Sequence, residues 1–329
     1  MWKTGQPDEP LFKETGPGAW RFAFSRSGAR FIAGNQHQGV RAYRTSDAVP
    51  TGPVIDPGSG TEAEQLLAFN SDEQLLVTAE IGGVARFWSA PVIAANMSQD
   101  ELASENVWRE SAASISAVSA GGERMAFGDN AGHVHIEQVG IPSDANTAAD
   151  EISYLGHQGA VLSMQFSGDG SVVASAGSDG TIRVWDAATG LPRAFYGRST
   201  MSSIDKIEFS PTAGQLAVLG DQRIWLMDTE TGAELASVDL GEVHHDLAFA
   251  ADQTIYLGAE SGVLRNLYSD RNGNWHLRNV WQGSDSIRHV EIATGRQNIV
   301  LVNSRNEVML LDPADGRVSS EILTMPSGV

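Results

Sequence analysis

The chain has 329 residues, of which 41% are hydrophobic and 19% charged, the balance of a folded globular protein and not of a disordered one. No apolar run is long enough to cross a bilayer, and the absence of cysteine excludes disulfides, thiolate nucleophiles and cysteine metal ligands. The 41 acidic residues outnumber the 22 basic ones, and the net charge of −19 repels nucleic-acid backbones because no basic run offsets it.

The first 17 residues are rich in proline and acidic residues and lack the apolar stretch of a secretion signal. We interpret residues 1–17 as a tail or a closing strand, and we expect the protein to be cytoplasmic, a reducing compartment that suits a chain without cysteine. The excess acidity is interpreted as a source of solubility, with recognition of a basic partner as the alternative.

From residue 18 onwards, short apolar runs alternate with glycine-rich or polar turns, which is typical of β-strands. The first run of each repeat ends in an apolar marker residue, at Phe24, Phe69, Val118, Phe166, Phe209, Phe249 and Ile292. Successive markers are 40 to 49 residues apart. A propeller blade takes about 40–45 residues, and loops account for the longer spacings.

Two further runs follow each marker in the same register. The second runs are ARFIAGN, QLLVTAE, RMAFGDN, SVVASAG, QLAVLG, TIYLGAE and QNIVLVN. The third runs are VRAYR, VARFWS, HVHIEQ, TIRVWD, RIWLMD, VLRNLY and EVMLLD. Between the second and third runs of the fourth repeat stands Asp179-Gly180, a strong hairpin signal.

Fourth runs are visible as LPRAFYG after Gly190 and as RVSSEIL at the end of the chain. Two segments are longer than a blade needs: residues 91–112, with a polar, acidic piece suited to a helical turn, and residues 138–151, expected to be a surface loop. Repeats of four strands cannot bury their own faces and must stack around a common axis. The sequence therefore predicts an all-β, seven-bladed β-propeller of four-stranded antiparallel blades, as a single domain over residues 18–329.

The fourth repeat carries a set of polar and aromatic residues at fixed places: Gly156-His157, Ser175, Asp179 and Trp185-Asp186. In this arrangement the chain resembles the WD-repeat (WD40) family of β-propellers, over residues from about 18 to 324. The resemblance implies that His157, Ser175, Asp179 and Trp185 form a structural hydrogen-bonded chain inside the blade. The other repeats depart from the signature, since Trp88 precedes Ser89 and the place of Trp185 is taken by Tyr43, Glu137, Met227, Leu267 and Leu311.

Motifs for catalysis or cofactor binding are missing from the sequence. No Gly-Lys pair occurs, which excludes a P-loop, and no Gly-x-Ser-x-Gly elbow is present. His133 and His135 alternate on a third strand and are interpreted as ordinary strand histidines, with half of a metal site as the alternative. His244 and His245 precede a first strand and point to opposite faces. We predict no catalytic residue, no metal and no cofactor.

The family resemblance implies an interaction surface around the mouth of the central channel. The places four residues before each marker are held by Trp20, Gln65, Ser114, Leu162, Asp205, His245 and Arg288. The places before the Asp179 equivalent are held by Gln36, Ile81, Asn130, Ser178, Gly220, Glu260 and Ser304. Tryptophan and arginine dominate binding hot spots, which favours a partner-binding rim, with a merely solvated rim as the alternative.

These observations predict a non-catalytic scaffold or sensor that binds a protein or peptide, including a basic one, but neither nucleic acid nor membrane. We expect a monomeric propeller or a module of a larger assembly, since segments such as TGPVI resemble repeats appended to bacterial signalling proteins. The alternative is a propeller hydrolase or lyase, which needs histidine and carboxylates converging on the axis, a set that the fourteen rim positions largely lack. The last blade is predicted to be closed by its own C-terminal strand, with EPLFKE near the N-terminus as the competitor.

Overall fold

We analysed a computed structural model of the chain. The structure describes residues 21–24, 30–35, 39–44, 51, 64–69, 75–80, 84–89, 106–109, 113–119, 124–138, 152–197, 203–212, 214–292, 299–305, 308–311 and 318–323. These residues form 27 strands arranged in seven antiparallel sheets, six of four strands and one of three. No helix in these ranges is long and apolar enough to span a membrane.

Each sheet is numbered 1 to 7 in chain order, and its strands follow one another in sequence. The first strands are β1 (Arg21–Phe24), β4 (Glu64–Phe69), β8 (Ala113–Val118), β12 (Val161–Phe166), β16 (Lys206–Phe209), β20 (His244–Phe249) and β24 (Ile287–Ile292). The second strands are β2 (Arg30–Asn35), β5 (Leu75–Glu80), β9 (Arg124–Asp129), β13 (Val172–Gly177), β17 (Gln215–Gly220), β21 (Ile255–Ala259) and β25 (Ile299–Asn303).

The outer half of each sheet is made by the third and fourth strands. The third strands are β3 (Gly39–Arg44), β6 (Val84–Ser89), β10 (His133–Gln138), β14 (Thr181–Asp186), β18 (Arg223–Asp228), β22 (Val263–Ser269) and β26 (Val308–Leu311). The fourth strands are β7 (Asn106–Arg109), β11 (Ile152–Leu155), β15 (Pro192–Gly197), β19 (Glu234–Asp239), β23 (Trp275–Gln282) and β27 (Val318–Leu323).

The predicted runs coincide with the strands, and every first strand ends at its apolar marker residue. Residues 106–109, near the end of the segment 91–112, form the fourth strand of sheet 2, and the rest of the segment expected to contain a helical turn is not described. One prediction needs correction. His244 and His245 do not precede a first strand; they begin β20, because Glu260 and its neighbours extend the hairpin to that point. Residues 91–105 and 139–151 lie outside the described ranges.

The core lies between the sheets, where neighbouring sheets pack face to face. Ala174, Val184 and Tyr196 of sheet 4 pack against Leu216 and Trp225 of sheet 5. Equivalent apolar layers join sheets 3 and 4, sheets 5 and 6, and sheets 6 and 7. Because strand side chains alternate between the two faces of a sheet, each sheet contributes to two layers. Burial between repeats therefore explains why no repeat is stable alone.

The first strands form the inner wall of the molecule. From β1 to β24, each first strand packs against the first strand of the next sheet in chain order, and each lies at one edge of its sheet. The all-β class and the four-stranded antiparallel sheets are confirmed. Closure of seven sheets into one ring and the boundary after residue 17 stay predictions, with residues 1–17 outside the described ranges. The last sheet takes its fourth strand from the C-terminal segment, as β27 pairs with β26.

Candidate functional site

The four signature side chains of sheet 4 are hydrogen-bonded in series. Trp185 Nε1 donates to Ser175 Oγ over 3.0 Å, and Ser175 Oγ is 2.8 Å from His157 Nε2. His157 Nδ1 lies 3.2 Å from Asp179 Oδ1 and 2.9 Å from Thr181 Oγ1. The bonds run from the third strand through the second to His157, in the loop that leads into the first strand, and from there to Asp179 in the turn. It therefore fixes the inner three strands of the sheet against one another.

The protonation state of His157 determines the direction of these bonds. Burial lowers the pKa of His157 although the Asp179 carboxylate opposes the shift, so the ring is neutral at pH 7 and has one N–H. Ser175 accepts from Trp185 and therefore donates its own proton to Nε2, which places the imidazole proton on Nδ1, facing Asp179. Burial would raise the pKa of Asp179, but hydrogen bonds from Gln158 and Thr181 keep it low. The network thus ends on an ionised carboxylate.

Gly177 leaves the space that this network requires. A Cβ atom on Gly177 would lie 2.4 Å from His157 Nδ1 and 2.7 Å from Asp179 Oδ1, closer than non-bonded atoms approach. A side chain at this place would push the imidazole away from its partners. The polar side-chain atoms of the four residues are bonded to one another or to the adjacent Gln158 and Thr181.

The predicted rim residues include five that occupy β-bulges. In five first strands the register with the second strand shifts by one residue at the start of the strand. The extra residues are Gln65, Ser114, Leu162, His245 and Arg288. A bulge leaves one residue out of the ladder and turns its side chain out of the regular alternation. Arg288 and Leu162 are exposed, the latter by 41%, although strand residues near them are buried.

The second set of rim residues lies next to the first. The amide of Ser178 donates to the Ala160 carbonyl over 2.8 Å, two residues before the bulge at Leu162. The same bond recurs from Glu260 to Val243 in sheet 6 and from Ser304 to Ser286 in sheet 7. Each of these sheets therefore places its turn residue and its bulge residue at the same end of the strands. Asn130, Ser178, Glu260 and Ser304 are exposed there.

Electrostatic interactions connect the rim positions of neighbouring sheets. Partial burial raises the pKa of Asp205, the nearby Asp221 carboxylate raises it further, and His245 of sheet 6 opposes both. Asp221 is held by Ser203, whose amide donates to Oδ1 over 3.0 Å. Asp205 and Asp221 therefore place two neighbouring carboxylates at this end of sheet 5. Trp20, Gln36 and Ile81 lie outside the described residues, and Gln65 and Ser114 are described for their strand positions only.

The inner wall carries a second polar feature that the sequence analysis did not find. In sheets 4, 5 and 6, side chains one or three residues before the marker accept hydrogen bonds from backbone amides of the next first strand. Gln165 Oε1 accepts from Phe209 N over 2.6 Å, and Glu208 Oε1 accepts from Phe249 N over 3.1 Å. Asp246 Oδ2 accepts from Val290 N over 2.9 Å. These bonds satisfy amides on the free edge of each sheet. The sequence does show charged residues one or three residues before the markers of sheets 5 to 7, and these could have indicated the contacts.

The histidine pair of sheet 3 lies as the alternation predicts, with the His133 and His135 ring centroids 6.1 Å apart. His133 Nδ1 is 2.7 Å from Asp129 Oδ2, so this ring is occupied by a turn carboxylate. Within the described ranges, no three histidine or carboxylate side chains are grouped so as to hold a metal ion. His133 is therefore part of the turn structure.

Comparisons with known proteins agree with this architecture. Residues 150–186 match the model of the WD domain, G-beta repeat. The chain is 25% identical to the APC/C activator protein CDC20 of Saccharomyces cerevisiae over 134 residues, 40% of this chain and 21% of that protein. It is 36% identical to the small ribosomal subunit protein RACK1 of Brassica napus over 87 residues, 26% of each chain.

A solved structure is similar over nearly the whole chain. A chain in the crystal structure of the mitotic checkpoint complex superposes with a TM-score of 0.68 and 14% identity, covering 94% of this chain and 92% of that one. The matches to the curated relatives span about a fifth to a quarter of their length. The signature in sheet 4 and these likenesses make the chain similar to WD40-repeat proteins, and the solved structure shows the same fold.

Proposed function

We propose that this protein is a non-catalytic scaffold or sensor module that binds a protein or peptide on the rim formed by the bulge and turn residues. The observation that carries the proposal is the repeated bulge, which turns the side chains of Leu162, His245 and Arg288 out of the ladder at one end of the sheets. A fold does not need exposed arginine and leucine there. Such residues serve as binding anchors when they lie in one surface.

The charge of the rim favours a basic partner. Asp205, Asp221 and Glu260 lie at this end of sheets 5 and 6, and the whole chain has a net charge of −19. The field attracts a cationic protein surface and repels nucleic acid, and the attraction decreases as salt increases. Relatives are named as an activator of the APC/C, a ribosomal subunit protein and a translation initiation factor subunit, all parts of protein assemblies. We infer the same kind of role, in the cytoplasm, alone or within a larger signalling protein.

Capture of a partner by purified protein tests the rim. Truncation of an anchor costs about 2 kcal/mol or more, close to a thirtyfold loss of affinity. We expect Leu162→Ala with Arg288→Ala to weaken binding by at least that factor, and Trp20→Ala to do the same if Trp20 is on the rim. Asp252→Asn is the matched control, because Asp252 is exposed in the turn at the opposite end of sheet 6. Weaker binding by the control variant alone would place the interface on the opposite side.

The alternative, a propeller hydrolase or lyase, is favoured by the charged residues on the inner wall of sheets 5 to 7. Lys206, Asp246 and His289 do converge there, unlike the fourteen rim positions. However, both oxygens of Asp246 and the ammonium of Lys206 are occupied by partners within the wall. A catalytic base or nucleophile needs access to its substrate. Hydrolysis of an ester or glycoside by the wild type that is lost in Asp246→Asn would establish the enzyme instead.

A further inference from the structure

The described part of the rim changes its chemistry from sheet 4 to sheet 7. Sheet 4 presents the apolar side chain of Leu162, which is 41% exposed at its bulge. Sheets 5 and 6 present the carboxylates of Asp205, Asp221 and Glu260, and sheet 7 presents the guanidinium of Arg288 at its bulge. Followed around the rim in chain order, the surface is therefore apolar, then acidic, then basic.

Backbone hydrogen bonds between neighbouring sheets join the acidic part of the rim to its basic part. The amide of Leu240, in the loop that enters sheet 6, donates to the Gln222 carbonyl in the turn of sheet 5 over 2.9 Å. The amide of Gly283, in the loop that enters sheet 7, donates in the same way to the Gly262 carbonyl in the turn of sheet 6 over 2.9 Å. The two parts are therefore held at fixed positions relative to each other.

Three charged side chains of the rim are not used by the fold. Within the described ranges, no hydrogen bond or ion pair involves the side chains of Asp205, Glu260 or Arg288. By contrast, Arg265 on the third strand of sheet 6 forms an ion pair with Glu242. Exposed charges without a partner contribute little to folding. The three rim charges are therefore available to a group from outside.

A second arginine lies in the basic part of the rim. Arg305, in the turn of sheet 7, is 64% exposed in its side chain, and its Nε lies 2.9 Å from Asp285 Oδ1. Asp285 stands in the loop just before the bulge at Arg288, so this ion pair holds Arg305 at the same end of the sheet. A guanidinium group has several N–H donors in one plane and binds a carboxylate in a bidentate manner. The basic part is therefore suited to a carboxylate.

The acidic part of the rim is held in place by Ser203. Asp221 Oδ1 accepts from the Ser203 amide over 3.0 Å and from the Ser203 hydroxyl over 3.1 Å. Asp205 follows Ser203 by two residues, and its carboxylate lies within electrostatic reach of Asp221. A cationic side chain placed between the two carboxylates is attracted by both. The acidic part is therefore suited to a lysine or arginine side chain.

We propose that the rim of sheets 4 to 7 binds an extended peptide segment in which a basic side chain stands between an apolar and an acidic one. The inference rests on the proposed function of the rim and specifies its partner by charge complementarity. The apolar side chain contacts Leu162, the basic one meets the carboxylates of sheets 5 and 6, and the acidic one meets Arg288 and Arg305. A segment with basic residues alone is attracted at sheets 5 and 6 but repelled at sheet 7.

Selection from a random peptide library displayed on phage, with the immobilised full chain as the target, tests the order of side chains. We expect the enriched peptides to carry lysine or arginine between an apolar residue and an aspartate or glutamate. Enrichment of peptides that lack the acidic residue would overturn this inference and leave the proposed function of the rim in place. Recovery of no peptide above the level of an uncoated surface would overturn both.

Exchange of charges between the rim and one selected peptide tests the contact at sheet 7. We expect Arg288→Glu to weaken binding about tenfold or more in fluorescence anisotropy, because like charges then face each other. Replacement of the acidic residue of the peptide by lysine is expected to recover affinity for Arg288→Glu, since Arg305 is already offset by Asp285.

Arg278→Glu is the matched control, because it makes the same charge change at an exposed arginine on the outer strand of sheet 6. The control is expected to bind the selected peptide as wild type does, and melting curves of both variants check that they fold. If the exchanged pair recovers no affinity, or if the control loses as much as Arg288→Glu, the acidic side chain does not meet Arg288 and the inference is wrong.

Discussion

Replacement of Asp179 by alanine removes the carboxylate on which the sheet 4 network ends. Asp179 accepts from the Gln158 amide over 2.7 Å, the Thr181 amide over 3.1 Å and the Thr181 hydroxyl over 2.7 Å, besides facing His157 Nδ1. Gln158 is exposed and gains water instead. The His157 ring is inaccessible to solvent, so its N–H loses its ionised acceptor and keeps only the neutral Thr181 hydroxyl at 2.9 Å. Loss of a buried hydrogen bond to a charged group costs about 1–3 kcal/mol, and we expect Asp179→Ala to destabilise the fold by that amount.

Urea and thermal unfolding measure this cost. A loss of about 1–3 kcal/mol lowers the melting temperature by roughly 2–6 °C in a chain of this size. Asp179→Asn, which keeps one acceptor oxygen, is expected to lose less. Asp228→Ala is the matched control, because Asp228 accepts from the Glu230 and Thr231 amides and the Thr231 hydroxyl in a solvent-exposed turn. If Asp179→Ala unfolds at the same urea concentration as wild type, the network does not stabilise the sheet and the reasoning is refuted.

Three further changes are expected to have distinct results. Gly177→Ala displaces the His157 ring and lowers the melting temperature, whereas Gly168→Ala, whose Cβ meets nothing within 4 Å, is neutral; equal effects of the two would contradict the steric argument. Burial lowers the pKa of His244 to about 4, so the free energy of unfolding decreases as the pH falls from 6.5 to 4. His244→Ile introduces the residue type that sheet 7 has at the equivalent place, Ile287. We expect this variant to lose the pH dependence when urea unfolding is measured at pH 7 and pH 5. Deletion of residues 1–15 is expected to leave melting and monomer size unchanged, because β27 supplies the last strand; dimers would indicate the opposite.

The strand positions were predictable from the sequence because each repeat carries local signals. Alternating apolar residues, a marker such as Phe166 and a turn such as Asp179-Gly180 are all read within about ten residues. The segment containing residues 106–109 was the exception, since NVWR follows a long polar stretch and has no turn signal in front of it. Pairing with β6 determines that it is a strand, and that pairing is not a local property.

The bulges and the charged contacts on the inner wall were beyond local sequence patterns. A bulge at His245 depends on where Asp246 pairs in β21, which only the assembled hairpin determines. The ion pair between Lys206 and Asp246 joins residues of different sheets. Alignment of the repeats on their markers does bring the positions of these charged residues into one column, however, and charged residues there are unusual for a strand that faces neighbouring protein.

The repeats differ in how well they match the signature, and this difference follows the place of the polar contacts in each sheet. Sheets 5, 6 and 7 lack the signature tryptophan, and the residues in its place, Met227, Leu267 and Leu311, are almost completely buried. Apolar side chains fill the place of the tryptophan within these sheets, and charged groups lie on the inner wall, where they join one sheet to the next. Sheet 4 has the internal network and only neutral side chains, Ser163 and Gln165, at the wall. Departure from the signature in the last three sheets therefore coincides with a different set of polar contacts, which join the first strand of one sheet to the first strand of the next.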